Sequence, residues 1–328
     1  MTTETTPNPA PPADSSSSFS QEKTFSTYNA DQGRAYSEIR RDYDPGVYRT
    51  ILDHHTSTGG QLDILLDVGC GPGYATRALA PHFTKAFGLD PAEGMISTAR
   101  SSLTNPEDST KVSFEISTCE ELGSNLTPPV EDGSVDLITA ANAAHWFDMP
   151  RFWAAASRVL KPGGTAAIWT SGPGHPHPSM PNADAIQAAI DEHQETELKP
   201  YILPGNILVR DRYTDLPLPW SGPPGQQTEG FDETSFVRLD WPVDRPFYVA
   251  KPQDEQGVNM DLFEKAMATG SAETRWRQAH PDLVGTERDP LRMLRRKIEG
   301  LLHDAGVEPG QERLRGVFRG VILFVKKE

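Results

Sequence analysis

A glycine-rich turn directly behind a short apolar segment is the feature that most constrains this chain. Residues 65–90 read LLDVGCGPGYATRALAPHFTKAFGLD, with Gly69, Gly71 and Gly73 at alternate positions and Asp90 17 residues beyond Gly73. A continuous apolar run such as DILLDVG is typical of a strand that is buried on both faces. Because glycine allows tight turns and a close approach of the backbone to a ligand, the pattern predicts a strand, a ligand-binding turn and a helix.

Apolar and helical segments alternate after this turn up to about residue 170. The segments KAFGLD, KVSFEIS, SVDLITA and TAAIWT read as strands, and AEGMISTARSSL and PRFWAAASRVL read as helices. Strands that alternate with helices at this spacing predict an α/β fold with a doubly wound, Rossmann-like, mostly parallel sheet. The alternation stops after Trp169, and GVFRGVILFVKKE predicts a last strand that returns to the sheet.

The chain divides into five parts along its length. Residues 1–22 are rich in Pro, Ser and Thr and predict a disordered tail. Residues 23–60 are expected to be helical, 61–170 to form the core, 171–308 to be an inserted region and 309–328 to complete the sheet. Within the insertion, DPLRMLRRKIEGLLHDAG predicts an amphipathic helix, and SFVRLDWPVDRPFYVA predicts either a strand pair or an irregular cover.

Composition argues against several classes of protein. The chain has 328 residues, of which 36% are hydrophobic and 23% charged, and its formal net charge is −15. This acidic balance argues against binding to nucleic acid or to an anionic membrane, because both need clustered Lys and Arg. Cys70 and Cys119 are too few for a disulfide framework or a cysteine-rich zinc site. With no long apolar run and no secretory signal, a cytoplasmic location without membrane, nucleic-acid or metal partners is expected.

The spacing of the glycines distinguishes two kinds of nucleotide ligand. Dinucleotide sites carry G-x-G-x-x-G, whereas Gly69, Gly71 and Gly73 are spaced as G-x-G-x-G, and Tyr74 follows them. The crowded start of the helix suits a ligand without pyrophosphate. Asp90 ends the second strand, where a carboxylate can accept hydrogen bonds from two ribose hydroxyls. S-adenosylmethionine has these hydroxyls, an ammonium group and no phosphate, and is therefore the predicted cofactor.

Residues 62–170 resemble the class I S-adenosylmethionine-dependent methyltransferases. They contain LLDVGCGPG, GLDPAEGM, ISTCEEL, DGSVDLITAANAAHWF and RVLKPGGTAAIW in the order of that family. The resemblance implies a seven-stranded sheet, a helical N-terminal lid and an insertion before the last strand. The segments AYSEIRRDY, AAHWFD, TRWRQAHPD and DPLRMLRRKI further resemble the fungal trans-aconitate methyltransferase group, which implies O-methylation of a small carboxylic acid.

The resemblance also implies which residues contact the cofactor. Asp67 would orient its ammonium end, directly or through the turn, and Asp90 would hold the ribose. Met95 would support the adenine or be an ordinary core residue, and Cys119 would act through its main chain rather than as a nucleophile. The expected cofactor-binding residues are Asp67, Gly69, Gly71, Gly73, Asp90, Met95, Cys119, Glu120 and Asn142.

His145 and Arg40 are the candidate catalytic residues. His145 follows the fourth strand and would be a general base for a phenol or alcohol acceptor, or else structural. Arg40 matches the family's Y-x-x-x-R pattern and would hold a carboxylate of cofactor or acceptor, or else lie on the surface. Trp146 would pack beside the sulfonium or in the core, and Trp276 with Arg277 would shape the acceptor pocket.

Methylation of a small acid is the leading interpretation, and several alternatives stay open. The same scaffold could methylate a fungal secondary metabolite at O, N or C, whereas the acidic charge disfavours RNA as acceptor. A different class is a cofactor-binding, cantharidin-type drug-tolerance protein that acts by sequestration, and a dehydrogenase is the most distant alternative. The expected partner is a small-molecule acceptor, and the expected assembly is a monomer or homodimer.

Overall fold

The computed structural model describes residues 24–25, 28–105, 110–249 and 257–328. The predicted tail, residues 1–22, lies outside the described residues. None of the helices within these ranges combines the length and apolar character needed to cross a membrane. The first half of the described chain contains α1 (Ala30–Ile39), α2 (Pro45–Ser57), β1 (Ile64–Val68), α3 (Tyr74–Leu79), β2 (Lys85–Asp90), α4 (Glu93–Ser101), β3 (Val112–Ile116), β4 (Val135–Ala141), α5 (Met149–Val159) and β5 (Leu160–Ser171).

The second half adds two further strands to the main sheet. Its elements are β6 (His175–Pro176), α6 (Ala183–Thr196), α7 (Pro204–Arg210), β7 (Phe231–Asp240), β8 (Val258–Asn259), α8 (Met260–Ala268), α9 (Ser271–Ala279), α10 (Pro290–Asp304), β9 (Arg313–Leu314), β10 (Gly316–Val317) and β11 (Gly320–Lys327). The amphipathic helix predicted behind Asp289 is confirmed as α10, which buries Leu291, Leu294, Ile298 and Leu302.

Seven strands form one sheet in the order β3-β2-β1-β4-β5-β11-β7. The pairs among β1 to β5 are parallel, and β11 is antiparallel to both of its neighbours. This arrangement confirms the predicted Rossmann-like α/β fold with a mostly parallel, seven-stranded sheet. The carboxyl ends of β1, β2 and β4 lie at one edge, which is where open α/β sheets bind ligands.

The stretch from 171 to 308 differs from the expected insertion between two sheet strands, because it contributes the strand β7 to the main sheet. β7 lies at the sheet edge beside β11, and most of its residues are exposed or half-buried. An edge strand lacks the continuous apolar run of a central strand, so its sequence FDETSFVRLD gives a weak strand signal. Of the two possibilities predicted for SFVRLDWPVDRPFYVA, the strand pair is wrong, because the segment completes β7 and its described remainder forms no second strand.

Two apolar clusters cover the two faces of the sheet. Leu65 and Leu137 point to one face together with Trp169, whereas Leu66 and Ile138 point to the other. This alternation is the two-residue period of a strand, and it gives both faces a continuous core. A third cluster lies outside the sheet and joins the helices of the second half; its members include Ile186, Met260, Leu294 and Ile298.

The N-terminal helix α1 packs closely on α4. A Cβ atom added to Gly33 would lie 2.5 Å from the carbonyl oxygen of Gly94, and one added to Gly94 would lie 2.3 Å from that of Tyr28. The hydroxyl of Tyr74 also donates a 2.6 Å hydrogen bond to the carbonyl of Ser37. Two glycines and one tyrosine thus fix α1 over the start of α4 and the turn behind β1.

Candidate active site

The three glycines of the turn have different surroundings. All have positive φ, at +64° for Gly69, +53° for Gly71 and +81° for Gly73, a region that non-glycine residues rarely adopt. A Cβ atom at Gly69 would lie 2.6 Å from the Cβ of Ala143, and one at Gly73 would lie 2.5 Å from the ring of Phe114. At Gly71 it would meet nothing within 4 Å. The turn therefore packs tightly at its ends and faces open space in its middle.

Asp90 ties the end of β2 to this turn. One carboxylate oxygen accepts a 2.9 Å hydrogen bond from the backbone N–H of Gly71, and the other accepts one of 2.9 Å from Ala92. The side chain is 8% exposed. Burial raises the pKa of Asp90 to about 6, although the two backbone hydrogen bonds favour the ionised form.

Asp67 lies beneath the turn and is fully buried. Its carboxylate accepts hydrogen bonds from the hydroxyls of Thr76 at 2.6 Å and Thr139 at 2.7 Å. Burial raises the pKa of Asp67 to about 6, against the effect of these two hydroxyls. Since the Asp67 side chain has no exposed surface and is bound by two protein hydroxyls, a role for Asp67 would be exerted through the turn rather than by direct contact with a ligand.

The residues expected near the adenine lie behind β2 and β3. Met95 in α4 is buried, and Cys119 is buried beside the half-exposed Glu120. Burial and the neighbouring Glu120 raise the pKa of the Cys119 thiol, so it is protonated at neutral pH and is a poor nucleophile. Burial opposes the charge of Glu120, but hydrogen bonds from Thr118, its own backbone and Cys119 outweigh it and lower the pKa of Glu120.

Asn142 follows β4 in a conformation that is uncommon for a residue with a side chain. Its φ is +51°, its N–H donates to the carbonyl of Trp169 at 2.7 Å, and its Oδ1 accepts a 2.6 Å bond from the hydroxyl of Thr170. These contacts join the carboxyl ends of β4 and β5. The left-handed conformation costs asparagine less free energy than it costs most other residues. The strain that remains is kept only where surrounding contacts hold the backbone in place.

His145 lies in a short 3-10 turn behind β4 and pairs with Tyr213. The Nδ1 atom of His145 is 2.8 Å from the hydroxyl of Tyr213, and both side chains are buried. Burial lowers the pKa of His145 to about 3, and the positive charge of Arg40 adds to this effect. His145 is therefore neutral throughout the physiological range.

Tyr213 is a site residue that sequence reasoning missed. It follows α7, which packs closely against the 3-10 turn that contains His145. A Cβ atom added to Gly205 of α7 would lie 2.5 Å from both the carbonyl oxygen of His145 and the ring of Trp146. Arg212 and Tyr213 are both left-handed, at φ +48° and +58°. No periodicity or motif marks this segment, and only the packing of α7 against the turn brings Tyr213 to His145.

Arg40 directly follows α1 and is surrounded by aromatic rings. Its guanidinium carbon lies 5.0 Å from the ring centre of Tyr36, and the phenols of Tyr43 and Tyr248 are within electrostatic reach. The Nε atom is buried and has no hydrogen-bond partner. In the described part of the chain Arg40 forms no ion pair, although its charge is felt by His145. An unpaired cation in such surroundings is a suitable site for an anion.

The residues expected to contact the acceptor are placed differently from one another. Trp146 contacts His145, with ring centres 4.6 Å apart, and the guanidinium of Arg275 lies 6.0 Å from its ring centre. Arg277 instead forms a 2.9 Å ion pair with the buried carboxylate of Asp289. Arg275, which the sequence did not single out, is thus the arginine of α9 that lies near Trp146. Two residues along a helix differ by about 200°, so the two arginines of α9 point to opposite sides.

Trp276 is buried in the second half of the chain rather than exposed to the glycine turn. Its ring stacks on His280, with ring centres 4.6 Å apart, and His280 in turn meets the ring of Tyr201 at 6.0 Å. The same helix is joined to α6 by the buried pair of His193 and Glu273, whose Nε2 and Oε1 atoms are 2.6 Å apart. These contacts give Trp276 a role in packing α9.

A family model described as a methyltransferase domain matches residues 66–168. A protein of Dictyostelium discoideum, provisionally named a methyltransferase, is 32% identical over 184 residues, which are 56% of this chain and 62% of the relative. A probable S-adenosylmethionine-dependent methyltransferase of Saccharomyces cerevisiae is 31% identical over 134 residues, 41% of this chain and 43% of the relative. The chain spans less than two thirds of the length of either relative.

Among solved structures, a protein of Anaeromyxobacter dehalogenans is similar over most of the chain. It is provisionally named a type II methyltransferase, is 26% identical, and superposes with a TM-score of 0.52 over 88% of this chain and 96% of its own. Residues 66–168 thus match a methyltransferase domain, and the strand order and the glycine turn joined to Asp90 agree with a class I fold and with S-adenosylmethionine as its cofactor.

Proposed function

We propose that the protein is an S-adenosylmethionine-dependent methyltransferase that methylates a carboxylate oxygen of a small organic acid, in the manner of the trans-aconitate methyltransferases. The observation that carries this proposal is Arg40, a cation without an acidic partner in the described chain that lies near His145 at the carboxyl end of the sheet. A planar guanidinium binds a carboxylate through two parallel hydrogen bonds, which fixes the orientation of the acceptor.

The residues of the turn fit the cofactor. The open space beside Gly71 leaves room for the part of the cofactor that faces the backbone of the turn. Asp90 lies at the adjoining end of β2, where it would hold the ribose of the cofactor. Asp67 would act by holding the turn through Thr76. Met95, Cys119 and Glu120 would border the adenine, and Asn142 would border the methionyl part. When bound, S-adenosylmethionine supplies a methyl group on a positively charged sulfur.

A carboxylate acceptor agrees with the state of His145. A histidine whose pKa is about 3 is a weak base, whereas a phenol has a pKa of about 10 and needs a base to lose its proton at neutral pH. A carboxylic acid has a pKa of about 4 and is already ionised. One of its lone pairs would form the new bond to the methyl carbon as the bond to sulfur breaks, the electron pair stays on sulfur, and no proton moves.

Positioning and exclusion of water are then the main tasks of the chain. Effective alignment of two reactants can lower a barrier by several kcal/mol, on the order of 7–11 in favourable cases. We propose that α1 and α2 act as a lid and that the helices α6 to α10 act as a cover for this purpose. His145, held by Tyr213, would be a wall of the site rather than a base.

The test is incubation of the full chain with methyl-labelled donor and a panel of trans-aconitate, citrate, benzoate, phenylacetate, trans-cinnamate and phenol. Label in one or more acids, recovered as a methyl ester, is the expected result. Label in phenol alone would reject the carboxylate acceptor while leaving a methyltransferase. Donor that binds and is never consumed, with any member of the panel, would favour sequestration over turnover.

Arg40→Gln tests the residue that carries the proposal. The substitution should raise KM for the acid at least tenfold and leave the affinity for S-adenosylhomocysteine within about twofold. If Arg40 held the carboxylate of the cofactor instead, S-adenosylhomocysteine would bind more weakly, whereas 5′-methylthioadenosine, which lacks the amino-acid part, would not. Arg34→Gln is the matched control, because Arg34 is exposed on α1 and pairs with Asp31 within the same helix.

Methylation of a secondary metabolite at oxygen, nitrogen or carbon is the second candidate. The rings of Phe25, Tyr28, Tyr36 and Trp146 form a connected cluster with centres 5.3–6.4 Å apart, which is favourable for a planar acceptor. Methyl label that is stable to mild alkali, and is therefore not an ester, would favour this candidate over the first.

A further inference from the structure

A cavity of about 260 Å³ lies between α1 and α8. Its walls are mostly apolar and include the rings of Tyr28 and Tyr36 and the side chains of Ile39 and Ala268. Lys265 contributes an exposed cation to its rim. Pockets for drug-sized ligands usually have roughly 300–1,000 Å³, so this one suits a single ring with its substituents.

The cavity adjoins the anion site through shared side chains. Tyr36 lines the cavity and also carries the guanidinium of Arg40 against its ring at 5.0 Å. Phe25 lies between Tyr36, at 5.9 Å, and Trp146, at 6.3 Å, and Trp146 adjoins His145. The cavity and Arg40 therefore share the ring of Tyr36, so a molecule whose body contacts this ring in the cavity would have Arg40 as a neighbouring cation.

The distribution of cations limits the charge of the acceptor. Arg277 is neutralised by Asp289, and Arg275 donates to the carbonyl of Tyr201, the side chain of Asn206 and the hydroxyl of Thr24. Arg40 is left as the cation beside Tyr36 that has no acidic partner among the described residues. A tricarboxylate would bring three negative charges to surroundings that are otherwise apolar, and removing unpaired charges from water is costly.

We propose that the acceptor is a monocarboxylic acid with one aromatic ring or a similarly compact apolar body, its body in the cavity between α1 and α8 and its carboxylate at Arg40. This inference rests on the proposed methylation of a carboxylate and replaces the tricarboxylate acceptor that the resemblance implies with an apolar monocarboxylic acid. Apolar area removed from water contributes about 25 cal/mol per Å², so a buried ring strengthens binding in a way that a tricarboxylate does not.

The same acceptor panel separates the two proposals. We expect kcat/KM for the best of benzoate, phenylacetate and trans-cinnamate to exceed that for trans-aconitate and citrate at least tenfold. If trans-aconitate or citrate is methylated equally well or better, this inference is overturned and the carboxylate methyltransferase stands. If phenol alone is labelled, or no acid is, both are overturned.

Ala35→Phe tests the cavity itself. Ala35 lines it from the exposed side of α1, so the larger side chain fills the cavity without entering the core. KM for the best aromatic acid should rise at least tenfold, with unchanged affinity for S-adenosylhomocysteine and an unchanged thermal midpoint. Glu38→Phe is the control on an exposed position of the same helix outside the cavity. Equal KM values for the two variants would show that the acceptor does not occupy this cavity.

Discussion

The carboxylate of Asp90 accepts a hydrogen bond from the backbone N–H of Gly71 at 2.9 Å. This bond joins the end of β2 to the middle of the glycine turn, at the one glycine of the three whose Cβ position faces open space. The charge on Asp90 and the shape of the turn are therefore linked. A ligand hydroxyl that binds this carboxylate would do so best when Asp90 is ionised.

Asp90→Asn should weaken the binding of S-adenosylhomocysteine at least tenfold, because an amide offers one acceptor atom where the carboxylate offers two. In the unsubstituted protein, affinity should fall as the pH drops below about 6, where Asp90 takes up a proton. Titration calorimetry from pH 5 to 8 measures both effects. An asparagine variant that keeps the same fall in affinity would assign the titration to another group.

Asp67→Asn should change how stability depends on pH. The native pKa of Asp67 is about 6, above an unfolded value of about 3.9, so the native state binds the proton more tightly and stability falls as the pH rises from 4 through 6. The loss from Asp67 is of the order of 3 kcal/mol. Asp90, whose pKa is raised to a similar value, contributes in the same direction. The Asp67→Asn variant should therefore keep about half of the total fall in unfolding free energy with rising pH.

Urea unfolding at pH 4 and pH 7.5 measures this difference. Asp63→Asn is a suitable control, because the exposed Asp63 pairs with Lys161 away from the turn. An Asp67→Asn variant whose unfolding free energy falls by the full wild-type amount between these pH values would exclude Asp67 as a source of the effect.

Gly71→Ala and Gly73→Ala should have opposite consequences for binding and stability. Both positions have positive φ, which costs about 1–2 kcal/mol for alanine. At Gly73 the methyl group also meets the ring of Phe114, which adds roughly 1–3 kcal/mol, whereas at Gly71 it points into open space. Gly71→Ala should therefore lose less stability than Gly73→Ala and more of the affinity for S-adenosylhomocysteine. Equal losses of binding in the two variants would contradict the assignment of that space to the cofactor.

Tyr213→Phe should destabilise the protein by about 1–3 kcal/mol, because it leaves Nδ1 of the buried His145 without its partner. Turnover should fall as well, while the pH profile of kcat should stay flat between pH 6 and 9 in both proteins, since His145 does not titrate there. Tyr201→Phe is the control, because its hydroxyl has no partner within the described ranges and its backbone contacts are kept. A bell-shaped or sigmoidal kcat profile centred near pH 7 would restore His145 as a base.

The amino-acid sequence by itself determined the part of this protein that depends on local order. The run DILLDVG, the three alternate glycines and Asp90 specify β1, its turn and the end of β2, because strand burial, positive φ and strand ends are recorded within a few consecutive residues. The parallel pairing of this half of the sheet follows from the alternation of strands and helices.

Only the tertiary structure decided the contacts that join distant segments. Tyr213 reaches His145 across 68 positions, and Asp67 is bound by Thr139 across 72, which no short pattern records. That Arg275 and not Arg277 lies near Trp146 depends on how α9 is rotated about its axis, and that rotation is fixed by its packing on neighbouring helices. Local sequence sets which residues follow a strand or share a helix, whereas the side chains that meet are set by how whole elements pack.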